Sequence, residues 1–144
     1  MEKITPPLSQ YRTKLDVQTR FSDTDAMGHI NNAVYLSYLE LGRMEYVKQV
    51  FGITTFGKVG FILARVEIDY RTPAFAGEVL KVGARVVRLG GASFTMDYRI
   101  EEAASGRLVA TAQSVQVSYD YAAGKVKKNS EEFLTKVRRH DGLA

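Results

Sequence analysis

Residues 32–52, NAVYLSYLELGRMEYVKQVFG, decide the architecture of this chain. Between Ala33 and Phe51 the polar positions are Ser37, Glu40, Arg43, Glu45, Lys48 and Gln49. A helix that is apolar on most sides is predicted to lie buried, because it has no broad polar face to turn to water. Asn31 or Asn32 can cap its start by accepting a bond from an orphan N–H. Gly52, which tolerates the left-handed conformation, closes its end. Glu40 and Arg43 stand three apart, a spacing at which they can pair on the helix surface.

Working outward, Leu15, Val17, Thr19 and Phe21 alternate with Asp16, Gln18 and Arg20, a period of two that reads as a strand. Downstream, Phe61–Arg71, Glu78–Leu89, Ser93–Glu101 and Leu108–Tyr121 are rich in Val, Ile, Tyr and Phe. Thr-Pro, Gly-Gly and Ala-Ser-Gly turn signals separate them, and Ala122–Lys125 ends the last. Gly90-Gly91 reads as a hairpin turn and not as a phosphate loop. A short amphipathic helix is predicted over Ser130–Arg139, capped by Ser130, with Phe133, Leu134 and Val137 inward. The order is strand, long apolar helix, four long strands. It is satisfied by an α+β single domain over residues 1–144, an antiparallel sheet wrapped around a long central helix. The sheet's other face would be bare, so a second copy is expected against it.

Composition narrows the function. A chain of 144 residues is long enough for one hydrophobic core. It has no cysteine, which excludes disulfides, a thiol nucleophile and thiolate metal sites. Two histidines, His29 and His140, are too few for a histidine-rich metal centre, and no metal or cofactor is expected. The net charge of +4 suits a phosphate-bearing ligand or simply solubility. The basic residues are scattered and carry no nucleic-acid-reading motif. No apolar run is long enough to span a bilayer. The N-terminus, MEKITPPLSQ, has neither the basic start nor the apolar stretch of a signal peptide, so a cytoplasmic protein is expected.

The chemistry-bearing residues gather where the first strand gives way to the helix, in Phe21–Tyr35, FSDTDAMGHINNAVY. Asp23 and Asp25 flank Thr24. Two carboxylates at i and i+2 of an extended chain share a face and repel, so the chain is expected to turn here and separate their roles. Gly28 allows the turn. His29 stands just before the helix start.

The run Asp23-Thr-Asp25-Ala-Met-Gly28-His29-Ile-Asn31-Asn32-Ala-Val-Tyr35 resembles the signature of hotdog-fold thioesterases of the 4-hydroxybenzoyl-CoA thioesterase type. Bacterial acyl-CoA and plant acyl-ACP thioesterases carry related segments. Two weaker matches follow in order, Val66–Ala74 with Gly77-Glu78, and Ala110-Thr-Ala-Gln leading through Val117 to Asp120 and Gly124-Lys125. Together they span roughly residues 13–128. The resemblance implies the hotdog fold, a homodimer with active sites at the subunit interface, and often a homotetramer. It implies that Asp25 is catalytic. In the plant enzymes the positions matching Asp25 and His29 belong to the catalytic set, with an asparagine that Met27 replaces here. That departure favours Asp25 over a His29-centred mechanism.

Such residues can suffice for thioester hydrolysis. The leaving thiol has a pKa of about 8.5, so its expulsion needs little acid help. A carboxylate at Asp25 can act as general base or as nucleophile. Free N–H groups at the helix start, at Asn31–Asn32, can stabilise the oxyanion. The candidate site is therefore Asp25, His29 and Asn32 for catalysis, with Gly28 and Tyr35 against the substrate. Tyr35, Leu39 and Phe61 either line an acyl tunnel or are ordinary core. Arg65, Arg71, Arg85, Arg88 and Lys127 are unassigned candidates for phosphate. The expected substrate is acyl-CoA, with acyl-ACP as the alternative carrier. A hydratase or dehydratase of the same fold and a non-catalytic acyl-thioester sensor or scaffold are the competing classes.

Overall fold

Asn31 starts the central helix as predicted, its side chain accepting the Ala33 N–H at 2.9 Å. One 3-10 turn over Asn32–Val34 leads into α1, Tyr35–Phe51, which ends at Gly52 with φ +69°. The computed structural model describes residues 5–55 and 59–144; the first four residues of the N-terminal stretch, and with them the start of the targeting reading, lie outside these.

Before α1 comes β1, Thr13–Gln18, and after it β2, Phe61–Tyr70; β3, Val79–Leu89; β4, Ser93–Glu102; β5, Leu108–Asp120; and a two-residue β6, Lys125–Val126. The antiparallel sheet runs in the order β1-β3-β4-β5-β2, and β6 pairs with the end of β5. A second helix, α2, spans Glu131–Asp141, with the Ser130 hydroxyl capping the Phe133 N–H at 3.1 Å. The fold is the α+β hotdog arrangement that the sequence led us to expect.

The helix lies against the sheet through Tyr35, Tyr38, Leu39, Gly42, Tyr46 and Val47, all buried. They meet Leu80, Val82, Ala84, Met96, Tyr98 and Ile100 of the inner sheet face. Gly42 sets the distance: a Cβ there would lie 3.2 Å from Val82 Cγ1 and 3.5 Å from Ala84 Cβ. Even a methyl group there would require Val82 to give by a few tenths of an ångström, and a larger side chain would hold the helix farther from the sheet. The opposite helix face, with Leu36 and Leu41, stays exposed, so burial within one chain is one-sided.

Four expectations change. Phe21 does not continue β1 inward; it opens a 3-10 turn and is 86% exposed, because the Asp23 carboxylate takes the Arg20 N–H and bends the chain. Arg43 does not pair with Glu40; it is buried and donates to the Tyr98 hydroxyl at 3.3 Å. The outer sheet face is not wholly bare, since Leu8 and Tyr11 pack over Gly83 of β3. Finally, α2 runs to Asp141, whose carboxylate accepts the Tyr46 hydroxyl at 2.6 Å and the Val86 N–H at 2.9 Å, tying the helix to α1 and β3.

One edge is left open. Beyond β5, β2 has no neighbour among the described residues, and Ile62, Leu63 and Tyr70 are exposed along it.

Replacing Gly42 with leucine should lift α1 from the sheet and lower stability by about 1–3 kcal/mol, the usual cost of overpacking. Denaturant unfolding measures this, and a variant as stable as the parent would show that the close approach is not needed.

Candidate active site

Asp23 and Asp25 are separated by the turn between β1 and α1 and take different work. Asp23 is buried. Its carboxylate accepts the Arg20 N–H at 3.1 Å, the Arg20 guanidinium at 2.7 Å and the Tyr38 hydroxyl at 2.8 Å. Its carbonyl accepts the Asn31 N–H at 2.8 Å. The Arg20 hydrogen bond holds this carboxyl below the usual carboxylate range against the opposing effect of burial. Tyr38 is pushed the other way, by burial and then by its bond to Asp23. Asp23 is thus the clasp between the turn and the first turns of α1.

Asp25 is half-buried and organises the tight loop that follows. Its N–H donates to the His29 carbonyl at 2.8 Å, and its own carbonyl accepts the Gly28 N–H at 3.2 Å. Gly28 sits at φ +83°, a conformation that glycine adopts without strain. The carboxylate oxygen Oδ1 accepts two backbone N–H groups, from Met27 at 2.8 Å and from His29 at 3.3 Å. Oδ2 has no partner among the described residues. The carboxylate is therefore fixed by one oxygen and available through the other.

That loop is held against the far side of the chain. The Ile30 N–H donates to the Ala74 carbonyl at 2.8 Å, and His29 bridges Phe75 in antiparallel fashion with its ring edge-on at 5.2 Å. A cavity of about 200 Å³ results. Asp25, His29 and Asn32 line it from the loop and helix start, Tyr35 from α1, and Tyr70 to Pro73 from the end of β2.

The helix start presents one free donor. Ala33 N–H is used by the Asn31 side chain and Val34 N–H by the Asn31 carbonyl, leaving Asn32 N–H without an acceptor among the described residues. The Tyr70 hydroxyl fixes this point by donating to the Asn32 carbonyl at 2.9 Å.

Four of the five residues singled out in the sequence, Asp25, His29, Asn32 and Tyr35, thus share one cavity, while Gly28 shapes the turn without lining it. Leu39 and Phe61 lie elsewhere, Leu39 in the core and Phe61 at the other end of β2. Tyr70 was missed as a wall of the site. Its only sequence signal is the Thr72-Pro73 turn, which marks where β2 must end. Tyr35 is packed edge-on between Tyr38 and Tyr70, and burial raises its phenol pKa. The group supplies a free carboxylate oxygen, a free N–H at a helix start and an aromatic wall. Nothing among the described residues forms a metal-binding cluster.

The family model described as the thioesterase-like superfamily matches residues 19–137. The long-chain acyl-CoA thioesterase FadM of Escherichia coli is 26% identical over 125 residues, 85% of this chain and 95% of that one. The 1,4-dihydroxy-2-naphthoyl-CoA hydrolase of Synechococcus elongatus is 32% identical over 104 residues, 68% of this chain and 74% of that one. A solved thioesterase from Thermus thermophilus, complexed with coenzyme A and Zn, matches with a TM-score of 0.84 at 32% identity. The match covers 92% of this chain and 96% of that one.

Because the folded-state pKa of Asp23 is depressed, its stabilisation is complete above the ordinary carboxylate pKa of about 4. It is lost as pH falls through the lowered value. Melting temperatures followed from neutral pH downward should show a smaller acid-induced drop in Asp23→Asn than in the parent, and identical slopes would refute the clasp. Tyr38→Phe, which removes one bond to the same carboxylate, should cost about 1–2 kcal/mol.

Proposed function

The chain belongs to the thioesterase-like superfamily, and we propose that it hydrolyses acyl-CoA thioesters in the Asp25 cavity. Asp25 supplies the attacking or water-activating oxygen, and the Asn32 N–H stabilises the oxyanion. The observation that carries this reading is the divided carboxylate of Asp25, with Oδ1 held by two N–H groups and Oδ2 unengaged beside a free helix-start donor.

Two routes use the same geometry. As general base, Oδ2 takes a proton from a water that attacks the thioester carbonyl, the oxyanion collapses, and the thiolate leaves and is protonated by solvent. As nucleophile, Oδ2 attacks directly, expels the thiolate, and forms a mixed anhydride that water then hydrolyses to the free acid. In both, negative charge develops on the carbonyl oxygen, where the Asn32 N–H and the positive end of the helix dipole favour it. His29 contributes through its backbone N–H, which positions Asp25. Tyr35 and Tyr70 wall the acyl side.

The assembly that supports this reading is a homodimer joined along β2. That strand offers a row of unpaired backbone groups with exposed apolar side chains, a template for a second copy. Two such dimers, facing through the outer sheet surface, would give the homotetramer. Acyl-ACP presents the same thioester and is the alternative carrier. No helix among the described residues is long and apolar enough to cross a membrane, and we place the enzyme in the cytoplasm.

Thiol release from a panel of aliphatic and aromatic acyl-CoAs tests the activity. Asp25→Asn should lower kcat/KM by about 10²–10⁴-fold, the range of a positioned general base; full activity in this variant would sink the assignment. Asn32→Pro provides a second test, because it deletes the free N–H at a position where proline suits a helix start. Asn31 already has φ −60° and ψ 134°, the extended conformation that a residue before proline adopts. This variant should fold and lose about 10²–10³-fold in kcat, whereas Asn32→Ala, which keeps the N–H, should lose much less. Equal losses in the two would remove the oxyanion role from the backbone.

A further inference from the structure

A second cavity, of about 280 Å³, lies at the other end of α1 and takes no part in the chemistry above. Val47 and Phe51 of α1, Phe61 of β2 and Phe133 of α2 wall it, and the exposed Lys127 and Lys128 stand at its rim. Phe133 is the centre of the aromatic wall. It stacks on Phe51 with ring centres 5.3 Å apart and meets Phe94 at 5.1 Å, which in turn meets Phe61 edge-on at 5.2 Å.

Within one chain this cavity cannot serve Asp25. The helix from Tyr35 to Phe51 separates the two sites by about 24 Å. The helix flank facing β5 also carries a polar barrier, the buried Arg43 guanidinium on the Tyr98 hydroxyl, which is bonded to Ser114 at 2.6 Å. A hydrocarbon tail laid along that flank would cover a buried charge.

The two ends of β2 change the distance. Phe61 walls this cavity and Tyr70 walls the Asp25 cavity, and the strand between them is about 30 Å long. When two copies pair antiparallel along their β2 edges about a two-fold axis, each Phe61 end lies opposite the Tyr70 end of the other copy. The aromatic cavity of one chain then adjoins the catalytic cavity of its partner.

We propose that the Phe51–Phe61–Phe133 cavity receives the uncharged acyl tail of the thioester held at Asp25 of the partner subunit, and that Phe133 sets the length admitted. The proposal rests on the thioesterase reading and on the β2-edge dimer. It makes α2 part of the substrate site, which α1 and the sheet alone do not require. It also makes each site composite, with the carboxylate from one chain and the tail pocket from the other.

Acyl-length profiles of kcat/KM test it. Phe133→Ala should move the optimum to longer acyl-CoAs, by about tenfold for each methylene newly accommodated, and Phe133→Trp should move it to shorter ones. Opposite shifts in the two variants cannot arise from general loss of folding. Mixed dimers of differently tagged chains then locate the pocket. A dimer pairing an Asp25→Asn chain with a Phe133→Ala chain has its one working carboxylate on the Phe133→Ala chain, and should show the parental profile. A dimer with both changes on one chain and none on the other should show the shifted profile. The reverse assignment, or no shift in either homodimeric variant while thioesters are still cleaved, overturns the proposal alone. Failure of the parent protein to cleave any thioester overturns the thioesterase reading beneath it.

Discussion

The buried carboxylate of Asp23 is the constraint on which the candidate site and the start of the central helix depend. It holds the end of β1 through Arg20 and the first turns of α1 through Tyr38, while its backbone carbonyl receives the N–H of the helix-capping Asn31. A charge taken out of water is tolerable only when its lone pairs are filled, and these are. With Asp23 anchored, the next two residues have little freedom, and Asp25 emerges at a fixed place above the helix start. Two carboxylates that the sequence places a single residue apart thus end in different states, Asp23 fully engaged and Asp25 with one oxygen left over.

Much of the fold was legible because its signals are periodic. The long strands, the Gly90-Gly91 hairpin and both helices appear within a residue or two of where alternation, turn residues and caps place them. The failures have local causes. Alternation alone carries β1 through Phe21, but Asp23 reaches back three residues to the Arg20 N–H and turns the chain before Phe21 can face the core. The spacing of Glu40 and Arg43 allows a surface pair, yet Arg43 lies on the buried side of the helix beside Gly42 and finds its partner in the Tyr98 hydroxyl. The two-residue β6 is too short to carry a period. None of these is visible without the third dimension.

The site was legible in its first half only. The loop and helix start are contiguous, so Asp25, His29 and Asn32 could be picked out together. Their surroundings come from Tyr70 to Pro73, which follow some forty residues later and reach the cavity only because β2 ends against the helix start. Nor does a sequence show which oxygen of a carboxylate is occupied. At Asp25 that distinction comes from the Met27 and His29 amides, and it separates a capping residue from one that can react.

The strand order bears on how the chain comes together in time. β3, β4 and β5 follow one another along the sequence and pair as neighbours, so this meander can form from local contacts. β1 must wait for β3, and β2 for β5, each across long intervening stretches. The Asp25 loop lies between these two strands, with its clasp on one side and its aromatic wall on the other. Its ordering therefore depends on two pairings of long sequence separation, while the β3-β4-β5 meander depends on neither.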